Sequence, residues 1–190
     1  MKQMEEKILR EGIVLPGDIL KVGSFLNQNI DTVLLREMGE EIARLFSGDL
    51  ITKVLTIESS GIAIAAAAGM AIGAPVLFAK KHRTSNVDGS VYTTVVHSFT
   101  HGEDYNVVVS KDYLSSADRV LLVDDFLANG HALHGLMDLC EQADAQVVGV
   151  AIAIEKCFTG AGDKLRAQGV RLESLAAIEA MSEDGIVFRS

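Results

Sequence analysis

The sequence has 190 residues, of which 48% are hydrophobic, with a mean hydropathy of +0.26 and a formal net charge of −9 at pH 7. This length and apolar content suit one domain with one core. The negative net charge disfavours nucleic acid as the main partner, since nucleic-acid-binding proteins usually carry a basic patch. It does not exclude an anionic substrate, because individual loops of an acidic protein can be positive.

The first fifty residues predict two helices. Residues 3–11 form an amphipathic run that ends at Gly12, and a second run from Asp31 to about Phe46 repeats apolar residues at helical spacing. The N-terminal run is charged and helical rather than typical of a signal peptide, and the two cysteines lie in apolar contexts. We therefore expect a soluble cytoplasmic protein, with no membrane contact, whose two thiols are buried.

Strand-like runs then alternate with a helical run. Residues 53–57 predict a strand, an Ala-rich run predicts a helix ending at Gly73, and residues 76–79 predict the next strand. This order is typical of a mostly parallel sheet with crossover helices.

A short polar run, ESSG at residues 58–61, separates the first strand from the Ala-rich helix. Ser59, Ser60 and Gly61 offer backbone N–H groups and hydroxyls without bulky side chains, so a pyrophosphate would fit there. The same residues could equally be an ordinary helix N-cap, and the run alone leaves both interpretations open.

The most basic run of the chain is KKHR at residues 80–83, directly after a predicted buried strand. Ligands of open α/β sheets bind at such strand ends, so we expect Lys81 to contact a pyrophosphate, with a solvated charged surface as the alternative. Residues 84–98 are polar and then alternate, which predicts an excursion or hairpin, and residues 105–110 predict a further strand.

The run VLLVDDFLANGHAL at residues 120–133 carries the clearest functional pattern. A buried strand is predicted at 120–123, Asp124 and Asp125 follow, and a small-residue turn leads into a helix from about 132 to 143. Backbone N–H groups of such a turn suit a phosphate, and the acidic pair suits sugar hydroxyls or a magnesium ion bound to them. A plain strand-to-helix turn with a solvated acidic pair is the alternative.

The last long apolar run, residues 147–154, predicts a strand covered on both faces. It is followed by Lys156, which could donate to a ring carbonyl, and Phe158, which could stack on a heteroaromatic base. A solvated lysine and a core phenylalanine are the alternatives. A helix at 161–168 and short strands at 170–174 and 185–188 complete the prediction.

The pattern at 120–133 resembles the signature of the type I phosphoribosyltransferases, and stretches at 20–31, 56–63 and 154–158 resemble the same family. Asn129 and His131 stand where Thr and Gly are commoner in that family. This difference narrows the choice of subfamily to which the chain can be similar. The resemblance implies a mostly parallel central sheet flanked by helices. It also implies a single domain whose small hood is built from residues 1–50 and about 155–190.

The resemblance implies transfer of the 5-phosphoribosyl group from phosphoribosyl pyrophosphate to a 6-oxopurine, with Mg²⁺ bound mainly through phosphoribosyl pyrophosphate. Xanthine is the purine it favours, and guanine or hypoxanthine is the alternative. The rival hypothesis from another functional class is a non-catalytic regulator that senses phosphoribosyl pyrophosphate. A regulator of this kind that binds DNA would need an N-terminal module and a basic face. A homodimer is expected from the family only.

The family pattern assigns site residues one by one. Asp124 and Asp125 would carry catalysis by facing the ribose hydroxyls. The phosphoribosyl 5-phosphate would be held by Ala128, Asn129, Gly130, His131 and Ala132. Pyrophosphate would be bound by Glu58, Ser59, Ser60, Gly61 and Lys81, and xanthine by Leu20, Asn27, Lys156 and Phe158.

Three further expectations concern the backbone and metals. The pyrophosphate loop of the family often holds a cis peptide, which we expect between Glu58 and Ser59, and its mobile loop is expected within 84–98. The histidine spacings 97–101 and 131–134 could suit a metal, but no carboxylate or thiol pattern completes a zinc site. We therefore expect no metal held by protein side chains.

Overall fold

The structure is a computed structural model that describes residues 1–82, 90–97, 104–183 and 185–189. The bounds of its elements are as follows: α1 (Lys2–Glu11), β1 (Ile13–Leu15), β2 (Ile19–Lys21), α2 (Thr32–Leu45), β3 (Lys53–Ile57), α3 (Gly61–Ile72), β4 (Val76–His82), β5 (Val91–His97), β6 (Asp104–Ser110), β7 (Arg119–Leu127), α4 (His131–Gln142), β8 (Gln146–Lys156), a 3₁₀ turn (Cys157–Thr159), α5 (Ala161–Ala167), β9 (Leu172–Ser182) and β10 (Gly185–Phe188).

An eight-stranded sheet with the order β10-β9-β8-β7-β3-β4-β6-β5 forms the centre of the fold. The strands from β9 to β4 run parallel, whereas β10, β6 and β5 pair antiparallel. A parallel sheet must be covered on both faces. One buried cluster includes apolar residues of α1, α2 and α3, and a second includes those of α4 and α5. The predicted fold class is therefore confirmed.

β4 and β8 extend slightly beyond the predicted ranges, and β7 and β9 continue further past their predicted ends. β7 continues to Leu127, because its parallel pairing with β8 extends to Leu127 and Glu155, and the acidic pair therefore lies within the strand. β9 continues to Ser182, because β8 pairs with it as far as Ile178 and β10 pairs with the rest. For β7 and β9 the additional hydrogen bonds come from the neighbouring strand, and the local apolar pattern of the sequence does not predict them.

The excursion or hairpin predicted at 84–98 supplies one described strand, β5. This strand pairs antiparallel with β6, which was predicted as a separate strand at 105–110, from Val91 with Ser110 to His97 with Asp104. Residues 83–89 and 98–103 lie outside the described residues, and these ranges include 84–89 and 98 of the segment expected to close over the reacting centre. His101, one of the histidines considered for a metal, lies there too.

The N-terminal segment adds a separate two-stranded sheet, in which β1 and β2 pair antiparallel. Leu20 of β2 is buried and joins the same core cluster as Met4 and Ile8 of α1. Cys140 and Cys157 are both free and buried, as predicted. None of the helices in the described part of the chain combines the length and the hydropathy needed to cross a membrane.

Candidate functional site

The residues singled out in the sequence gather at one edge of the sheet. β3, β4, β7 and β8 are parallel neighbours, so their carboxyl ends meet there. Glu58 follows β3, Lys81 lies near the end of β4, Asp124 and Asp125 lie in β7, and Lys156 ends β8. This edge is where open α/β sheets bind ligands.

The loop after β3 is tied to β4 through Glu58. The Glu58 N–H donates to the Ala79 carbonyl at 3.1 Å, and the Glu58 carboxylate accepts from the Lys81 N–H at 2.6 Å. The peptide bond between Glu58 and Ser59 is cis, which confirms that prediction. Ser60 occupies the N-cap of α3 but makes no side-chain capping bond, so its hydroxyl is not used as the N-cap alternative requires. All five residues predicted for pyrophosphate therefore lie together.

Gly61 allows the start of α3 to approach the sheet closely. A β-carbon at this position would overlap the hydroxyl oxygen of Thr56 and lie 3.2 Å from Oδ1 of Asp124. That Thr56 oxygen is buried and, among the described residues, has no hydrogen-bond partner. The pyrophosphate loop, Thr56 and the acidic pair are therefore packed as one unit, a contact that only a residue without a side chain permits.

We expect Gly61→Ala to lower the free energy of unfolding by about 1–3 kcal/mol, because the added methyl group must displace Thr56 or shift α3. Turnover should fall with it, since the loop and Asp124 move apart. Thermal unfolding and steady-state rates measure both effects. Gly48→Ala is the matched control, because nothing lies within 4 Å of its added carbon. Equal behaviour of the two variants would contradict the close packing described for Gly61.

The two aspartates of β7 differ in environment. Asp124 is only 5% exposed, whereas Asp125 is partly exposed and donates its N–H to Oδ1 of Asp124 at 2.9 Å. Burial, and then the charge of Asp125, raise the pKa of Asp124 well above its usual range, and the charge of Lys81 opposes this rise. Asp125 is therefore the more accessible carboxylate, and Asp124 is the one whose charge the fold disfavours.

The turn between β7 and α4 has the features expected of a phosphate site. Gly130 adopts a φ of +80° and forms the N-cap, and it carries no side chain that could satisfy the N–H groups of the first helical turn. Asn129 and His131 are exposed. The Ala128 carbonyl accepts from the Thr159 hydroxyl at 2.7 Å, which ties the turn to the segment after β8. The start of α4 thus presents the positive end of a helix dipole to solvent.

The four residues predicted for the purine fall into two pairs. Leu20, which is 6% exposed and part of the core, lines a cavity of about 500 Å³ together with the exposed Asn27. Lys156 and Phe158 lie at the end of β8, and neither is among the residues lining that cavity. Phe158 is 39% exposed, so the alternative of a core phenylalanine is wrong.

Lys156 links the two pairs. Its Nζ donates to the main-chain carbonyl of Asp18 at 2.6 Å, in the turn that precedes Leu20. The same Nζ lies 5.6 Å from the ring centroid of Phe126. Burial lowers the pKa of Lys156, and the nearby Asp18 charge opposes this. The lysine is therefore held between two elements and is not a solvated strand end.

Sequence reasoning missed Tyr105, whose ring centroid lies 4.9 Å from Nζ of Lys81. Burial raises the pKa of Tyr105, and the charge of Asp124 adds to this. Only the antiparallel pairing of β4 with β6 brings it there, and no local pattern signals that contact. In the described ranges, no group of three or more His, Cys, Asp or Glu residues is arranged to hold a metal ion.

Comparisons with known proteins show what this chain is similar to. A family described as phosphoribosyl transferase domain matches residues 29–166. The chain is 50% identical over 188 residues to the xanthine phosphoribosyltransferase of Finegoldia magna, with 99% of each protein covered. It is 52% identical over 185 residues to the xanthine phosphoribosyltransferase of Bifidobacterium longum subsp. infantis, covering 97% of this chain and 96% of that protein.

Solved structures share the architecture. Adenine phosphoribosyltransferase from Rhodothermus marinus superposes with a TM-score of 0.73 at 22% identity, covering 92% of this chain and 98% of that one. The enzyme of the same name from Saccharomyces cerevisiae gives a TM-score of 0.71 at 18% identity, covering 92% and 99%. At such identities the likeness supports the fold alone.

Proposed function

This chain belongs to the phosphoribosyltransferase family, and we propose that it is a purine salvage enzyme acting on xanthine. It transfers the 5-phosphoribosyl group of phosphoribosyl pyrophosphate to xanthine, giving xanthosine 5'-monophosphate and pyrophosphate. The observation that carries the proposal is the convergence at one sheet edge. The pyrophosphate loop, the acidic pair, the phosphate turn and Lys156 all lie at the carboxyl ends of neighbouring parallel strands.

The reaction places different demands on the two ends of the sugar. Breaking the bond between ribose C1 and pyrophosphate builds positive charge on the sugar and negative charge on the leaving group, and it needs no protein nucleophile. Lys81 and the backbone N–H groups of Ser59, Ser60 and Gly61 are suited to stabilise the leaving group as its charge develops. The 5-phosphate is anchored by the turn at 128–132, which fixes the sugar between two points of attachment.

The acidic pair orients the ribose through its hydroxyls. Asp125 is the more accessible of the two, so we assign it the direct contact and give Asp124 the role of holding Asp125 through its N–H. The purine then attacks C1 from the face opposite the leaving pyrophosphate, with Lys156 donating to a ring carbonyl and Phe158 beside the ring. Leu20 and Asn27 are proposed to contact the other edge of the purine.

Mg²⁺ would enter mainly bound to phosphoribosyl pyrophosphate. The carboxylate of Asp125, the more accessible of the pair, offers oxygen ligands of the type that this ion prefers, so the site fits the ion. When bound, the ion supplies neutralisation of the pyrophosphate charge.

We also propose that residues 1–50 and about 155–190 form a hood over the purine. The hydrogen bond from Lys156 to Asp18 joins these two segments and supports the assignment. A cytoplasmic location and a homodimer are proposed from the family resemblance alone.

The proposed function is tested by incubating the protein with phosphoribosyl pyrophosphate, Mg²⁺ and each of xanthine, guanine, hypoxanthine and adenine, and identifying products by mass. We expect xanthosine 5'-monophosphate to form fastest. Faster formation of the guanine or hypoxanthine product would replace xanthine by the alternative substrate. Failure to form any nucleoside monophosphate would refute the enzymatic function.

A further inference from the structure

The contact between Lys156 and Asp18 is the starting point. It joins residues 138 positions apart, at 2.6 Å, between the end of β8 and the turn that connects β1 with β2. A lysine ammonium carries three N–H donors. One is taken by the Asp18 carbonyl, and the Phe126 ring lies 5.6 Å from the nitrogen. These two contacts limit the directions in which the remaining N–H groups of Lys156 can point. The local sequence of β8 gives no sign of this limit.

The turn that supplies this carbonyl has an unusual backbone. Leu15 pairs with Ile19, and between them Gly17 and Asp18 have φ values of +81° and +59°. Left-handed residues other than glycine are uncommon, and aspartate is among the few that tolerate this region. The direction of the Asp18 carbonyl therefore depends on two consecutive left-handed residues.

We propose that the Asp18 carbonyl is a positioning group for purine binding. The β1–β2 turn holds the Lys156 ammonium beside Phe126 and directs its remaining donors toward a carbonyl of the purine. This inference rests on the proposed function, because it takes Lys156 as the residue that binds the purine. It implies that the turn governs the KM for xanthine, while the KM for phosphoribosyl pyrophosphate depends on the other end of the site.

The test displaces the turn without touching Lys156. In Gly17→Val a β-branched residue replaces glycine at positive φ, a conformation it strongly disfavours. Gly73→Val is the matched control, because Gly73 lies outside the proposed hood, has a φ of +82° and, like Gly17, has nothing within 4 Å of an added β-carbon. We expect Gly17→Val to raise the KM for xanthine about tenfold, the loss typical of one hydrogen bond to a charged group. Gly73→Val should leave the KM for xanthine within about twofold of wild type.

A double-mutant cycle shows whether the turn acts through the lysine. In a Lys156→Met background, Gly17→Val should cause no further rise in the KM for xanthine, because the group it positions is gone. Gly17→Ala, a milder change at the same φ, should give a smaller rise and serves if Gly17→Val does not fold.

The outcomes separate this inference from the proposed function. If Lys156→Met raises the KM for xanthine but neither Gly17 variant does, the positioning role is wrong and the function stands. An equal effect of Gly17→Val with and without Lys156, or an equal effect of Gly73→Val, also overturns it. If Lys156→Met leaves the KM for xanthine unchanged, the purine role of the lysine fails, and the inference fails with it.

Discussion

Replacing Asp124 by asparagine is expected to lower turnover by at least about 100-fold while making the unliganded protein more stable. Turnover falls because the asparagine amide accepts the Asp125 N–H more weakly than a carboxylate and carries an NH₂ group in place of the second oxygen, so Asp125 shifts. Small displacements of reacting groups cost factors of this size. Stability rises because Asp124 is 5% exposed and its ionised form is disfavoured by burial and by Asp125. Each kcal/mol gained should raise Tm by about 2–4 °C for a chain of this size.

The stabilising effect should depend on pH. The folded protein binds the Asp124 proton more tightly than the unfolded chain, in which the pKa is about 3.9. The favourable contribution of Asp124 is therefore complete below that value and is lost as pH rises through the raised pKa of the folded state. Asparagine does not titrate, so the Tm of Asp124→Asn minus that of wild type should grow between about pH 4 and neutrality.

Thermal unfolding across this pH range, with rates at pH 7, measures both effects. Asp125→Asn is the comparison variant: turnover should fall, but the gain in Tm should be smaller, because only the repulsion of Asp124 is relieved and not its burial. A Tm difference for Asp124→Asn that is negative, or constant with pH, would contradict the assigned environment. Wild-type turnover of Asp125→Asn would remove that residue from the mechanism.

The second large effect is expected for stability, from Arg166→Ala. Glu155 is 1% exposed, and its two carboxylate oxygens accept from Arg166 at 2.8 and 2.7 Å. Burial alone would raise the pKa of Glu155, but the bonds from Arg166 and Ser174 hold it below its usual range. Removing Arg166 leaves a buried charge unpaired.

We expect Arg166→Ala to lower the free energy of unfolding by about 3 kcal/mol, the lower end for a broken buried pair. The lower end applies because the Arg166 side chain is 35% exposed, so water reaches the vacated position. Denaturant unfolding measures the loss. Adding Glu155→Gln should recover part of the lost stability by removing the buried charge.

Arg36→Ala is the control, because the side chains of Arg36 and its partner Glu40 are 65% and 59% exposed and their ion pair should contribute under about 1 kcal/mol. Equal losses for the two arginines would contradict the buried pair.

Local patterns in the sequence were sufficient for much of the fold. Residues 53–57 were predicted as a strand and form β3, and the helical spacing after Asp31 corresponds to α2. The hydrophobic period works here because each element buries one set of side chains against the central sheet. The acidic pair and the small-residue turn were likewise visible, since they are contiguous in the chain.

What the sequence could not predict depends on pairing between distant segments. Tyr105 lies beside Lys81 because β6 pairs with β4, and the Asp18 carbonyl meets Lys156 because the N-terminal hairpin packs near the end of β8. The Asp18 carbonyl belongs to the main chain, so its contact with Lys156 does not depend on the side chain at this position and cannot be predicted from the sequence. The length of β7 was missed for the same reason, because β8 supplies the hydrogen bonds that carry it past the aspartates.

The most direct test of the central claim is a crystal structure of the protein with xanthosine 5'-monophosphate. We expect phosphate oxygens within about 3 Å of main-chain nitrogens of residues 128–132. The ribose hydroxyls should lie at the acidic pair and a purine carbonyl at Lys156. A phosphate bound elsewhere, or a turn at 128–132 filled by its own side chains with no room for an anion, would contradict the proposed site.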